Sequence, residues 1–348
     1  MAKNIVIFAD GTGQEGGKGA NSNIYKLFNM IEDRTSRQIS FYDRGLGTGW
    51  WHKPNTCWLQ PGASIGGFGI SRNIKDCYTF IFENYEAGDR IYLFGFSRGA
   101  ATVLSLSTFI HYFGILPKSR PELIDRAYKI YQIDNEKARE KQAGNFIKQH
   151  HTMWTKIHFI GCFDTVAALG LPWKKFDVWI NAISFWHHSF HNFRLSEAVE
   201  NAYHALAIDD EREYFHPVLW DPEFFSGRQI RQVWFCGMHT DVGGGYENHE
   251  LSDISLAWMR DKAVGHGLLI YPGNTVLIKG DANGKMHNSR GDAWEKKLYP
   301  QKPRFWPNSR SDKLVVHHSV LQRINNQDNK GNPPYRPWIL AQDYDVEY

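Results

Sequence analysis

The sequence predicts an α/β domain with a mostly parallel central sheet flanked by helices, and three observations carry that prediction. Short continuous apolar runs recur at "NIVIF" (4–8), "RIYLF" (90–94), "KIHFIGCF" (156–163) and "RQVWFC" (231–236), the pattern of strands buried on both faces. Segments with helically spaced apolar residues alternate with them, which is the order of an α/β chain. Each of these strands also runs into a polar or glycine-rich turn: "ADGTG", "GFSRG", "DTVA" and "GMHTD".

The elements follow in order. "NIVIF" is a strand, a glycine-rich loop follows, and "NIYKLFNMI" (23–31) has helical spacing. "QISFYD" (38–43) fits a second strand. In "SRNIKDCYTFIFENYEAGD" (71–89), Ile74, Tyr78, Ile81 and Tyr85 share one helix face, and Gly88 ends it. "RIYLF" is the next strand, and "AATVLSLSTFIHYF" (100–113) is an apolar helix. Residues 121–150 are more polar and helical, and "KIHFIGCFDT" returns as a strand. "SEAVENAYHALAID" (196–209) reads as a helix capped by Ser196, with Glu197 in its first turn. "RQVWFC" is a strand, "DISLAWM" (253–259) a helix, and "KLVVHHSVLQRI" (313–324) has no clear assignment.

One domain is expected over residues 1–348, since a chain of this length buries a large core without metals or disulfides. Two aromatic-rich stretches, 44–70 and 171–195, interrupt the α/β pattern and are expected to be lid or pocket-wall insertions. The net charge of +3, with 22% charged residues, carries no nucleic-acid footprint. Cys57, Cys77, Cys162 and Cys236 lack the spacing of a metal site, and no cofactor is expected. "MAKNIVIFADGTG" reads as neither a secretory signal nor a membrane span, so cytoplasmic residence is the expectation, with signal-independent export left open.

The chemistry collects at the strand ends. Gly95, Ser97 and Gly99 form the glycine-x-serine-x-glycine pattern of a nucleophile elbow, with an apolar strand before it and a small-residue helix start after it. An alcohol needs a base to take its proton and an acid to orient that base. Asp164 and His239, each just past a strand, are the preferred acid and base. Asp241 and His318 are the alternative pair, and both choices keep the chain order serine, acid, histidine. The loop "ADGTG" after the first strand and the residue after the serine are placed to supply oxyanion N–H groups, from Gly11 or Thr12 and from Arg98. Asp10 is expected to orient that loop or to bind a cation.

Two further readings compete with a serine hydrolase: a metal-dependent hydrolase built from Asp10, Asp164, His239 and Asp241, and a noncatalytic binding protein on the same fold. A phosphate-loop reading of "GTGQEGGKGANS" fails because no Gly-Lys-Ser/Thr follows.

Taken together, "FADGTG", "GFSRGA", "GCFDTVAALG", "HALAIDDEREYFHPVLW" and "GMHTDVGGGY" resemble the DUF2235 family of α/β hydrolases, which includes the catalytic domains of Tle1-class type VI secretion phospholipase effectors. The resemblance runs from residue 5 to about residue 260. It implies an α/β-hydrolase fold and a serine-dependent carboxylic ester hydrolase with Ser97, Asp164 and His239 as its triad. The expected partner is an ester or lipid-like small molecule, with transient contact to a membrane surface.

Overall fold

The computed structural model describes residues 2–14, 16–45, 68–166, 195–291, 296, 299–326 and 334–348. Eight strands form one sheet: β1 (Asn4–Ala9), β2 (Gln38–Asp43), β3 (Arg90–Phe96), β4 (Ile157–Phe163), β5 (Val199–Ala207), β6 (Gln229–Phe235), β7 (Leu314–His317) and β8 (Tyr344–Glu347). Their order across the sheet is β2-β1-β3-β4-β5-β6-β7-β8, and every neighbouring pair is parallel. The α/β class with a mostly parallel sheet is therefore observed.

Helices cover both faces: α1 (Asn23–Met30), α2 (Phe68–Asn84), α3 (Arg98–Phe113), α4 (Leu123–Tyr131), α5 (Glu136–His150), α6 (His239–Gly243), α7 (Glu250–Gly265) and α8 (His318–Asn325). Strand β1 shows why its run is apolar throughout. Ile5, Ile7 and Ala9 enter one core with residues of α2 and α3, while Val6 and Phe8 enter the other with residues of α1 and α7. Alternate side chains point to opposite faces, so a strand covered on both must be apolar at every position. Ser22 starts α1 by accepting the Tyr25 N–H at its hydroxyl.

The sheet order locates the site. From β1 the chain moves to β2 on one side, then returns to place β3 on the other side and continues outward from there. Where strand order reverses, the loops leaving the carboxyl ends of β1 and β3 diverge and open a crevice. The "ADGTG" loop and the Ser97 turn are those two loops.

One element differs from the sequence expectation. "SEAVENAYHALAID" contains a strand, β5, where a helix was expected. Its hydrogen-bonding edges are taken by β4 and β6 on either side, and Ala202 through Ala207 are buried. Alanines favour a helix in isolation, but a central position with both edges paired overrides that local preference. Ser196 still acts locally, accepting the Ala198 N–H at its hydroxyl. "KLVVHHSVLQRI" divides between His317 and His318 into β7 and α8. The expected insertions 44–70 and 171–195 lie almost wholly outside the described residues.

Candidate active site

The Ser97 turn is built by steric necessity. Ser97 adopts φ 56° and ψ −120°, a conformation costly for a residue with a side chain, between the end of β3 and the first turn of α3. A Cβ on Gly95 would stand 2.5 Å from the Ala100 Cα, and one on Gly99 would stand 2.0 Å from the Ala9 carbonyl oxygen. Only glycine permits helix α3 to approach both β3 and β1 this closely. The Ser97 N–H donates to the Phe163 carbonyl at 3.0 Å, pinning the turn to the end of β4. Among the described residues the hydroxyl has no hydrogen-bond partner.

One residue past β4, Asp164 also takes a positive φ, 38°. Its side chain is fully buried, and each oxygen accepts twice. Oδ1 accepts from the Ala207 N–H at 3.0 Å and Arg304 Nη1 at 2.6 Å, and Oδ2 from His239 Nδ1 at 2.5 Å and Arg304 Nη2 at 2.9 Å. Burial alone would raise the carboxyl pKa, but the Arg304 charge and the His239 hydrogen bond hold it well below the usual carboxylate range.

His239 opens α6, just after Gly237, whose φ of 102° admits the turn. With Nδ1 bound to Asp164, the ring is oriented and Nε2 is its outer nitrogen. The imidazole lies with its centroid 4.7 Å from the Phe96 ring and 5.5 Å from that of Phe215. Phe96 immediately precedes Ser97 in the chain. The Phe96 ring is itself held between glycines: Cβ atoms would stand 2.8 Å from it at Gly11 and 1.9 Å at Gly243. The His239 N–H donates to Asp210 at 3.3 Å, and Asp210 is bound by Arg212 at 2.6 Å.

On the other side of Ser97, Asp10 accepts from Ser22 and Tyr42, both at 2.6 Å, and from the Gly11 N–H at 2.7 Å. Burial raises its pKa against these hydrogen bonds. The Gly11 N–H, weighed as an oxyanion donor, is thus engaged by the Asp10 carboxylate. Arg98 Nε donates to the Thr12 hydroxyl, joining the two loops across the crevice. Among the described residues its guanidinium has no carboxylate partner, and burial lowers its pKa to about 10.

The alternative pair is not brought together. Asp241 accepts from His287 Nδ1 at 2.6 Å and from the Met238 and His287 N–H groups. His318 lies at the start of α8, against His317 at 4.3 Å and Tyr348 at 5.7 Å, and lines a separate cavity of about 540 Å³ with Trp258 and Gln322. The four residues weighed for a metal site are each engaged differently, Asp10 by hydroxyls, Asp164 by Arg304 and His239, and Asp241 by His287. Among the described residues, no group of three His, Cys, Asp or Glu side chains is disposed to hold a metal ion.

Arg304, Asp210 and His287 were not singled out from the sequence. Arg304 sits in the Pro- and aromatic-bearing run "QKPRFWPNSR", with no motif or periodicity to mark it. A family model described as "T6SS, Phospholipase effector Tle1-like, catalytic domain" matches residues 3–262. The chain belongs to this Tle1-like catalytic-domain family. The match spans β1 to α7 and so takes in Ser97, Asp164 and His239, while Arg304 lies beyond it. Family and fold link the chain to hydrolase-type α/β proteins. Over 261 residues the chain is 28% identical to the uncharacterized protein YEL023C of Saccharomyces cerevisiae, covering 69% of this chain and 36% of that protein. Among solved structures, it is similar to an uncharacterized protein from Pseudomonas aeruginosa, with 17% identity and a TM-score of 0.48 over 85% of this chain and 51% of that one. It is also similar to the Tle1 effector bound to the VgrG spike of the type 6 secretion system, with 20% identity and a TM-score of 0.41 over 71% of this chain and 52% of that one. The chain thus spans about a third of the curated relative's length and about half of each solved chain.

Proposed function

We propose that this Tle1-like chain is a serine carboxylic ester hydrolase that works through an acyl-enzyme on Ser97. The observation that carries the reading is the 2.5 Å Asp164–His239 pair, packed through Phe96 against the strained Ser97 turn. Nδ1 is taken by Asp164, so Nε2 is the nitrogen that accepts the Ser97 proton as Oγ attacks the ester carbonyl carbon. The carbonyl electron pair moves onto oxygen, where the N–H groups of Thr12 and Arg98 and the start of α3 stabilise it. Collapse of this intermediate breaks the bond to the leaving alcohol, which receives the proton from Nε2. Water, deprotonated at the same nitrogen, then releases the acid and restores the serine.

The substrate is lipid-like, in keeping with the phospholipase description of the family. Arg98 supports a phosphate-bearing ester. Arg98 follows Ser97 in the chain and, among the described residues, its guanidinium is bonded to the Thr12 hydroxyl at Nε, so its remaining donors are the ones that would meet a phosphate. No helix among the described residues is long and apolar enough to cross a membrane.

The test is labelling of the full chain with a fluorophosphonate, followed by hydrolysis assays on a phospholipid and a neutral ester of equal acyl length. Labelling should be lost in Ser97→Ala, and the phospholipid should be preferred. Folded protein that is never labelled, with hydrolysis abolished by a chelator instead, would favour the metal-dependent alternative. The absence of both labelling and hydrolysis would favour the binding protein.

A further inference from the structure

Arg304 lies outside the matched family residues and takes no part in the acyl-transfer scheme. Its side chain is fully buried and grips Asp164 with two parallel bonds, Nη1 to Oδ1 and Nη2 to Oδ2. The same nitrogens donate to the carbonyls of Ala207 and Phe215, each at 2.6 Å, which anchors the guanidinium to the end of β5 and to the segment that packs Phe215 against His239. Two consequences follow. The planar fork fixes the carboxylate, so Oδ2 meets His239 in one geometry. The positive charge offsets that of Asp164, so a protonated imidazole gains less from its acid than it would from an unpaired one.

Building on the serine mechanism, we propose that Arg304 is a positioning residue. It clamps Asp164 in one orientation toward His239 Nδ1 and offsets its charge, so that the acid favours a protonated imidazole less than an uncompensated aspartate would. The other charged groups around His239 leave this balance to Arg304. Asp210, in the loop after β5, is matched by Arg212, and Asp241, on α6 itself, is held by His287. From α3, Arg98 turns to Thr12, while Phe96 and Phe215 present uncharged rings. His204, packed beneath the Asp164 turn through Thr165, is kept neutral by burial, which lowers its pKa to about 3.

The experiment compares the full chain with Arg304→Gln and Arg304→Lys, following the rate of Ser97 inactivation by a fluorophosphonate across the acid limb of the pH profile. In that reaction Oγ bonds to phosphorus, fluoride leaves and His239 takes the proton. Arg304→Gln should move the acid limb upward by about one pH unit. Arg304→Lys keeps the charge but not the fork, so its limb should stay in place while its plateau falls roughly tenfold. A glutamine limb that superimposes on the unsubstituted one overturns the proposal. If the glutamine variant does not fold, the lysine variant decides both halves. A limb that moves despite the retained charge overturns the offset, and an undiminished plateau overturns the clamp.

An NMR titration of the His239 ring in the Ser97→Ala background reads the charge effect without catalysis. Its midpoint should move upward by about one pH unit when Arg304→Gln is added. Absence of Ser97 labelling in the unsubstituted chain would sink the serine mechanism, while this titration would still judge the role of Arg304.

Discussion

Helix α6 carries two aspartate–histidine pairs of nearly equal length, and their surroundings separate them. His239 reaches Asp164 at 2.5 Å and Asp241 reaches His287 at 2.6 Å. The first pair is buried, gripped from behind by Arg304 and packed on the residue before Ser97. The second is a brace: its acid caps the Met238 N–H at the start of the helix, and its histidine stacks on Tyr246 at 3.9 Å. A short Asp–His hydrogen bond therefore marks neither chemistry nor architecture by itself. What distinguishes the pairs is where the outer imidazole nitrogen is left and which charge stands behind the acid.

The widest separation should come from truncating the two histidines. His239→Ala is expected to lower ester hydrolysis by roughly 10⁴-fold or more, as loss of a general base does in a serine triad. His287→Ala should keep activity within about tenfold while lowering stability by about 1 kcal/mol, since it removes a hydrogen bond and a ring contact from a brace. Turnover and urea midpoints on both variants check this. Comparable activity losses would erase the distinction drawn between the pairs.

The acids should divide in the same order. Asp164→Asn is expected to cost roughly 10⁴-fold in turnover by losing the orientation of His239. It should also destabilise the fold by about 3–5 kcal/mol, because Arg304 is left buried with its charge unpaired. Asp241→Asn leaves no buried cation behind, so its cost should be about 1–2 kcal/mol with hydrolysis retained. A melting-temperature drop for Asp164→Asn no larger than that for Asp241→Asn would contradict the charge argument.

Much of this arrangement was legible because it is local in sequence. Gly95, Ser97 and Gly99 announce the turn, since the close approach of Ala100 and Ala9 leaves no room for a Cβ. Asp164 and His239 each follow an apolar run and so fall at one edge of the sheet. Strand β5 was not legible, because its alanines prefer a helix until neighbours take both of its edges. Arg304 was hidden for a related reason: it meets Asp164 across 140 residues, and only the fold brings a loop arginine to a strand-end acid. The place of His318 was likewise not legible, because only the sheet sets it beside His317 and a cavity lined by Trp258 and Gln322.

The smallest expected effect concerns a third carboxylate near α6, Asp209, which lies in the loop after β5 beside Asp210. It accepts from the Gly237 N–H and the Tyr335 hydroxyl, both at 2.7 Å. Burial outweighs these bonds and raises its pKa from 3.8 to about 6. Asp164, with Arg304 against it, is shifted the other way. The two acids therefore impose opposite slopes on stability. The folded chain holds the Asp209 proton more tightly than the unfolded chain does. That contribution is complete below the unfolded value of 3.8 and is lost as pH rises through about 6. Asp164 contributes above its unfolded value and loses that contribution only as pH falls below it. Asp209→Asn should thus leave stability near pH 4 little changed, raise it at neutral pH by on the order of 1–2 kcal/mol, and flatten the profile between. Urea midpoints across that window measure the slope directly. A variant whose midpoints remain parallel to those of the unsubstituted chain would show that Asp209 is already ionised where burial should keep it protonated, and that a cation is not what separates the two acids.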